Sequence, residues 1–180
     1  MTDDLERSVV ALRQAFDRSF SEAPATGDGA KERLLAIRID GHRYALRLDE
    51  IAGLASRRKI VPIPSAMPQL LGLSGNRGTI LPVYDLAALM GHEGRRTETR
   101  WLVFAHGRHE DVGLSCFSLE GYLELPRSEI RPRESPSSAP ARRHVHHTVR
   151  SSDGPRSVID LSSLVAALAD AAGRHSTTEK

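Results

Sequence analysis

An internal repeat constrains this chain more than any other feature. PVYDLAAL at 82–89 and SVIDLSSL at 157–164 match at Val, Asp, Leu and Leu, which sets Asp85 and Asp160 in equivalent positions 75 residues apart. Each Asp stands just ahead of a helical run, where a carboxylate accepts the free N–H groups of the first turn. Between the repeats the chain reads as short strand-like runs broken by Gly and Pro. Short strands with regular turns imply small barrels rather than a parallel sheet. The expected fold is mainly β: two pseudo-repeated five-stranded β-barrels with short helices. The first covers about 34–92 and the second about 99–161, with a closing helix over 162–173 and a polar tail over 174–180. The chain-order boundary falls near 92–99, with exchange of strands across it left open, and the cleft between the barrels is the expected docking surface.

Local signals fill in this frame. LLAIRID and HRYALRL flank Asp40-Gly41, a strong hairpin signal. Asp49–Ser56 reads as a helical turn or a loop, and KIVPIP as a strand bounded by prolines. Pro82 inside TILPVYDL marks an edge strand or a bulge. Gly173 is the expected C-cap of the closing helix. Ahead of all this, Leu5, Val9, Leu12, Phe16 and Phe20 form one helical stripe over 3–20. That extra amphipathic helix and the linker after it occupy residues 1–33. The stripe suits either an appendage packed on its own domain or a helix docked on a partner.

Composition removes several function classes. With 180 residues the chain can bury a sizeable core without staples, and its one cysteine, Cys116, excludes an intramolecular disulfide framework. No apolar run approaches the roughly 20 residues needed to span a bilayer, and the acidic start MTDDLERS is no basic leader. A cytoplasmic protein without membrane insertion is expected. Arg dominates the 25 cations, but 23 acids leave a formal charge of only +2 and aromatics are 4%, so nucleic acid is not the expected partner.

No catalytic constellation emerges. Asp85 and Asp160 read as helix caps rather than a catalytic carboxylate pair. His144 and His146 alternate as metal ligands on a strand would, yet no carboxylate lies close by; a solvated strand edge is the reading, and no metal or cofactor is expected. Cys116, inside the apolar run VGLSCFSL, reads as a buried structural thiol. LLGLSGNRG lacks the spacing of a phosphate loop. What remains is Arg77 at a strand corner beside Gly78, either a rigid guanidinium fork projected at whatever lies beyond or, as composition alone favours, an ordinary solvated Arg on a surface turn.

LLGLSGNRGTILPVYDLAALMG resembles the signature of the chemotaxis coupling proteins, the CheW-like family, which reads G-V-x-N-L-R-G-x-x-[VI]-P-V-x-D-L followed by a short helix. LLAIRIDGHRYALRLDEIAGL resembles the family's opening segment, VGLSCFSLEGYLELP its middle strand pair, and SVIDLSSLVAAL its closing strand and helix. The resemblance covers about 34–170. It implies SH3-like barrels, no catalysis, and an adaptor joining the cytoplasmic tip of a methyl-accepting chemoreceptor to the regulatory domain of a CheA-type histidine kinase, with self-association into array rings. The family's receptor-binding groove maps onto Ile51, Gly53, Leu54 and Arg77, with Leu102 and Val103 from the second barrel. Gly72, Gly75, Asn76 and Gly78 form the motif turn. Gly53 replaces the family's acidic partner of the Arg, and Gly75 and Asn76 replace its Asn and Leu. HHTVRSSDGPRS is polar where the family is apolar. The alternative is a CheW-like or SH3-like binding module for another partner, in a two-component system outside chemotaxis or on nucleic acid.

Overall fold

Two tight turns set the register of the hairpins they close. Asp40 and Gly41 both take positive φ (47° and 77°), as do Arg77 and Gly78 (49° and 85°). Two-residue loops of that kind match the right-handed twist of the strands they join. Ile39 therefore faces His42, and Asn76 faces Thr79. The computed structural model describes residues 30–92, 101–107, 111–133 and 143–176. The helix expected over 3–20 lies outside the described residues, as do 21–29 of the linker and 177–180 of the tail.

Eleven strands and two helices are present among the described residues. The strands are β1 (Lys31–Ile39), β2 (His42–Arg47), β3 (Ile51–Ser56), β4 (Leu70–Asn76), β5 (Thr79–Asp85), β6 (Trp101–Ala105), β7 (Val112–Cys116), β8 (Ser118–Pro126), β9 (Ile130–Pro132), β10 (Val145–Ser151) and β11 (Gly154–Ile159); the helices are α1 (Leu86–Leu89) and α2 (Leu161–Ser176). Asp49–Ser56 is thus mostly strand: a single 3-10 turn over Leu48–Glu50 leads directly into β3. Helix α2 continues through Gly173 rather than ending there. One glycine near a helix end costs only about 1 kcal/mol and does not force a stop.

The sheets do not follow chain order. One has the order β8-β1-β2-β11-β10-β9 and the other β3-β6-β7-β5-β4. Each repeat sends its first two strands to the other half's sheet: β1 and β2 join β8–β11, while β6 and β7 join β3–β5. A cut near 92–99 therefore separates no barrel. The repeats still match, because β11 pairs in parallel with β2 as β5 does with β7, and each leads into a helix. The first sheet has six strands rather than five, because the chain makes a 3-10 turn over Arg127–Glu129 and adds the short β9. In the second sheet the chain after β3 returns to β4, where Val61 and Leu73 exchange backbone hydrogen bonds of 2.8 and 2.9 Å.

Exchange gives both faces of the central strands something to bury against. Leu34, Ala45, Val149 and Val158 fill the interior of the six-stranded sheet. Leu81, Val83, Leu102 and Phe104 fill that of the five-stranded sheet. The alternate residues, among them Leu35, Ile37, Tyr44, Val103, Leu114 and Ile159, join Leu86, Leu161 and Leu164 of the helices in a third and larger core between the sheets. The space expected to be a docking cleft is this core. Period-two alternation put apolar residues on both faces, and the sheets closed over them.

Candidate functional site

Arg77 is built into a strained position. It is exposed at the tip of the β4–β5 hairpin with a φ of 49°, a region that an L side chain enters at a cost of order 1–3 kcal/mol. Gly78 shares the turn. Gly75 does not take positive φ, and a Cβ there would meet nothing within 4 Å. Gly72 serves the barrel rather than the turn. Its φ is 142°, and a Cβ would lie 2.7 Å from the Val61 carbonyl carbon and 2.9 Å from the Pro62 Cα. Glycine at 72 lets the chain after β3 close against β4.

That closure creates a surface. Leu81 and Val83 point into the barrel, so Ile80 and Pro82 point out. Pro82 is paired with Leu73, and Leu73 with Val61, giving an apolar row across three adjacent segments. Ile80 is 71% exposed and Val61 51%, with Ile63 beyond it also exposed. The Ser74 hydroxyl donates to the Lys59 carbonyl at 2.9 Å. The antiparallel course from there carries Arg57 and Arg58 toward the Arg77 end of β4. Arg57, Arg58, Lys59 and Arg77 are all exposed, and among the described residues none of them is paired with an acid. The hairpin thus presents an apolar face flanked by concentrated positive charge.

Other polar groups are committed to structure. Asp85 Oδ1 accepts from the backbone N–H of Ala87 and Ala88 at 2.9 and 3.3 Å. Asp160 Oδ1 accepts from Ser163 N–H at 2.7 Å. Glu50 reaches the same helix end, accepting from Leu161 N–H at 3.1 Å, and burial raises its carboxyl pKa. Burial pushes the Cys116 thiol up to about 12. His144 is not on a solvated edge: it is buried, with Nδ1 2.8 Å from Ser163 Oγ, and desolvation followed by the charge of Arg143 lowers its pKa. His146 is exposed, and His147 Nδ1 lies 3.5 Å from Arg47. The histidines therefore do not converge on one point.

The six-stranded sheet also buries a charge that sequence reasoning passed over. Arg156, 3% exposed, follows the inward alternation of Val158 and donates to Glu120 at 2.6 Å and to Asp153. Arg38 holds the other Glu120 oxygen at 2.5 Å. Burial raises the Glu120 pKa, but the two guanidinium groups outweigh it and hold the carboxyl below its ordinary value.

A family model described as the CheW-like domain matches residues 33–169. The chain belongs to the CheW-like domain family. Proteins named chemotaxis protein CheW are among its relatives. The one from Thermotoga maritima is 25% identical over 104 residues, covering 57% of this chain and 69% of the relative. The one from Rhizobium meliloti is 24% identical over 106 residues, covering 58% and 68%. The crystal structure of the scaffolding protein TtCheW from Thermoanaerobacter tengcongensis shares the fold, with a TM-score of 0.66, 18% identity, and coverage of 74% of this chain and 91% of that one.

Within this CheW-like fold, the residues mapped to the family groove separate into two groups. Ile51 and Val103 lie in the core between the sheets, and Leu102 inside the five-stranded barrel. Their buried side chains shape the frame. Gly53 is also buried, and a Cβ there would be 3.5 Å from the Phe104 ring. Leu54, half-buried on the edge strand β3, keeps exposed surface, as do Trp101, Leu119 and Tyr122 along the rim of the same core. Arg77 is exposed. Sequence reasoning missed Val61, Ile63 and Ile80, although the run KIVPIP carried the first two.

Proposed function

We propose that this CheW-like chain is a non-enzymatic cytoplasmic adaptor that couples a chemoreceptor tip to a CheA-type histidine kinase. The observation that carries this reading is the outward apolar row of exposed Val61 and Ile80 with half-buried Leu73 and Pro82, beside cations around Arg77 that have no acid partner among the described residues. An apolar patch with a rigid guanidinium at its edge suits an amphipathic helix that brings a carboxylate or backbone carbonyls to the Arg. The half-buried rim of Leu54, Trp101 and Tyr122 offers a second contact, and an adaptor needs two. Docking partners on different edges of the two-barrel body is also what ring-like assembly requires.

Titration against a receptor tip tests the proposal. Loss of an Arg anchor costs about 2 kcal/mol of binding, roughly thirtyfold in Kd, so Arg77→Ala should weaken the receptor contact by that factor. Alanine at a φ of 49° carries nearly the strain that arginine does, so the melting temperature should hold. Equal affinities for the wild type and Arg77→Ala would reduce Arg77 to a solvated turn. The same four cations favour a second reading, a phosphate backbone. Neutralising four phosphates would make log K fall with log salt at a slope of about −3 to −4, whereas a helix held on an apolar face would show a shallow dependence.

A further inference from the structure

The polar stretch over β10 and β11 lays a cationic face on the six-stranded sheet. Residues directly opposite one another on paired strands share a face. Ser157 lies opposite Tyr44 of β2 and Thr148 of β10, and Thr148 lies opposite Arg131 of β9. Tyr44 belongs to the core between the sheets, so the row starts on that side of the sheet and runs out into solvent. Thr148 and Ser157 are half-buried and Arg131 is exposed. Period two adds His42, Arg150 and Arg133 to the same side. Arg133 follows β9, its N–H donating to the His146 carbonyl at 2.9 Å. His42 and Arg150 are exposed and Arg133 is half-buried. Among the described residues, none of His42, Arg131, Arg133 and Arg150 is paired with an acid.

A hollow of about 210 Å³ opens in this face, with His42, Arg43, Arg133 and Ser157 around it and Val145 among its walls. That is the volume of about seven waters. No carboxylate among the described residues lines it. Arg43 is already committed, its guanidinium donating to the Asp153 carbonyl with Nε 3.6 Å from the Asp153 carboxylate. The Arg133 guanidinium and the Ser157 hydroxyl have no partner among the described residues. We propose that this hollow binds a phosphate group, either the free ion or a small monoester. A guanidinium matches two phosphate oxygens at once, and a hydroxyl can donate to a third. The surplus of positive charge along the row suits a dianion better than a single carboxylate. A nucleic-acid strand fits less well. The four strands from β2 to β9 measure only about 14 Å across, and no exposed Phe, Tyr or Trp lies in the row for a base to stack on. Arg77 belongs to the other sheet, so this site is separate from the surface proposed for a receptor.

Amide NMR of the full chain tests this, with inorganic phosphate titrated against chloride at constant ionic strength. Phosphate should shift the signals of Arg133, Thr148 and Ser157 saturably, and chloride should not. Glycerol 3-phosphate, titrated the same way, separates the two sources: tighter binding than the free ion assigns the site to an ester, and equal or weaker binding assigns it to the ion. Arg133→Gln keeps the fold and removes one charged donor, so it should weaken phosphate about tenfold. Ser157→Ala should weaken it by less, because a neutral hydroxyl makes a weaker hydrogen bond than a guanidinium. Equal affinities for wild type and Arg133→Gln, or the same shifts with chloride, would overturn the proposal. So would phosphate shifts confined to Arg57, Arg58 and Arg77. A single-stranded DNA oligonucleotide that shifted the same signals at lower concentration than either phosphate, with affinity falling steeply with salt, would overturn the assignment to a small ligand.

Discussion

Replacing Gly72 by alanine tests how the five-stranded sheet is closed. The added Cβ would meet backbone, the Val61 carbonyl and the Pro62 Cα, and backbone cannot swing away as the end of a side chain can. Relief requires the segment at Val61 to part from β4, which breaks the two hydrogen bonds at 2.8 and 2.9 Å, each worth about 1 kcal/mol net. The φ of 142° adds about 1–3 kcal/mol for a residue with a side chain. Alanine recovers about 0.4–1 kcal/mol by restricting the unfolded chain. The expected destabilisation is about 3 kcal/mol, a large share of the 5–15 kcal/mol typical of a domain. Urea unfolding followed by Trp101, the sole tryptophan, should show the midpoint falling by about 1–2 M at the slopes usual for such domains. Gly75→Ala, three residues along the same strand and facing open space, should stay within about 0.5 kcal/mol of wild type. A Gly72→Ala midpoint equal to that of Gly75→Ala would refute the closure argument.

Further outcomes follow from other parts of the molecule. Ile80→Asp should leave stability within about 0.5 kcal/mol, because the side chain is 71% exposed, yet weaken partner binding in pull-down. Glu120→Ala should cost about 3 kcal/mol in urea unfolding by leaving Arg156 short of a partner, while Arg156→Met, which removes the buried charge, should cost less. Glu120 has its pKa lowered on folding, so its contribution is present above the ordinary carboxylate range and fades as pH drops through the depressed value. Glu120→Gln should flatten that acid limb of the stability profile. Cys116 should resist thiol reagents at pH 8 in the native protein, its thiol being pushed up to about 12, and react only on unfolding; rapid native labelling would contradict its burial.

Local chemistry was legible in the amino-acid sequence. Asp40-Gly41 specified a hairpin because those residues tolerate positive φ, and the Asp of each repeat marked a helix start because a carboxylate satisfies free N–H groups one turn ahead. The repeat and the short alternating runs carried the two-barrel class. Which strands share a barrel was not legible, because pairing between β2 and β11, or β7 and β5, joins residues more than a local pattern apart. Alternation announces that Leu102 and Val103 are apolar on opposite faces, but only the exchanged sheets decide that both faces are covered, which takes these residues and Ile51 off the surface. The need for glycine at 72 arises in the same way. It depends on the chain after β3 closing against β4, a contact between segments whose approach tertiary packing alone determines.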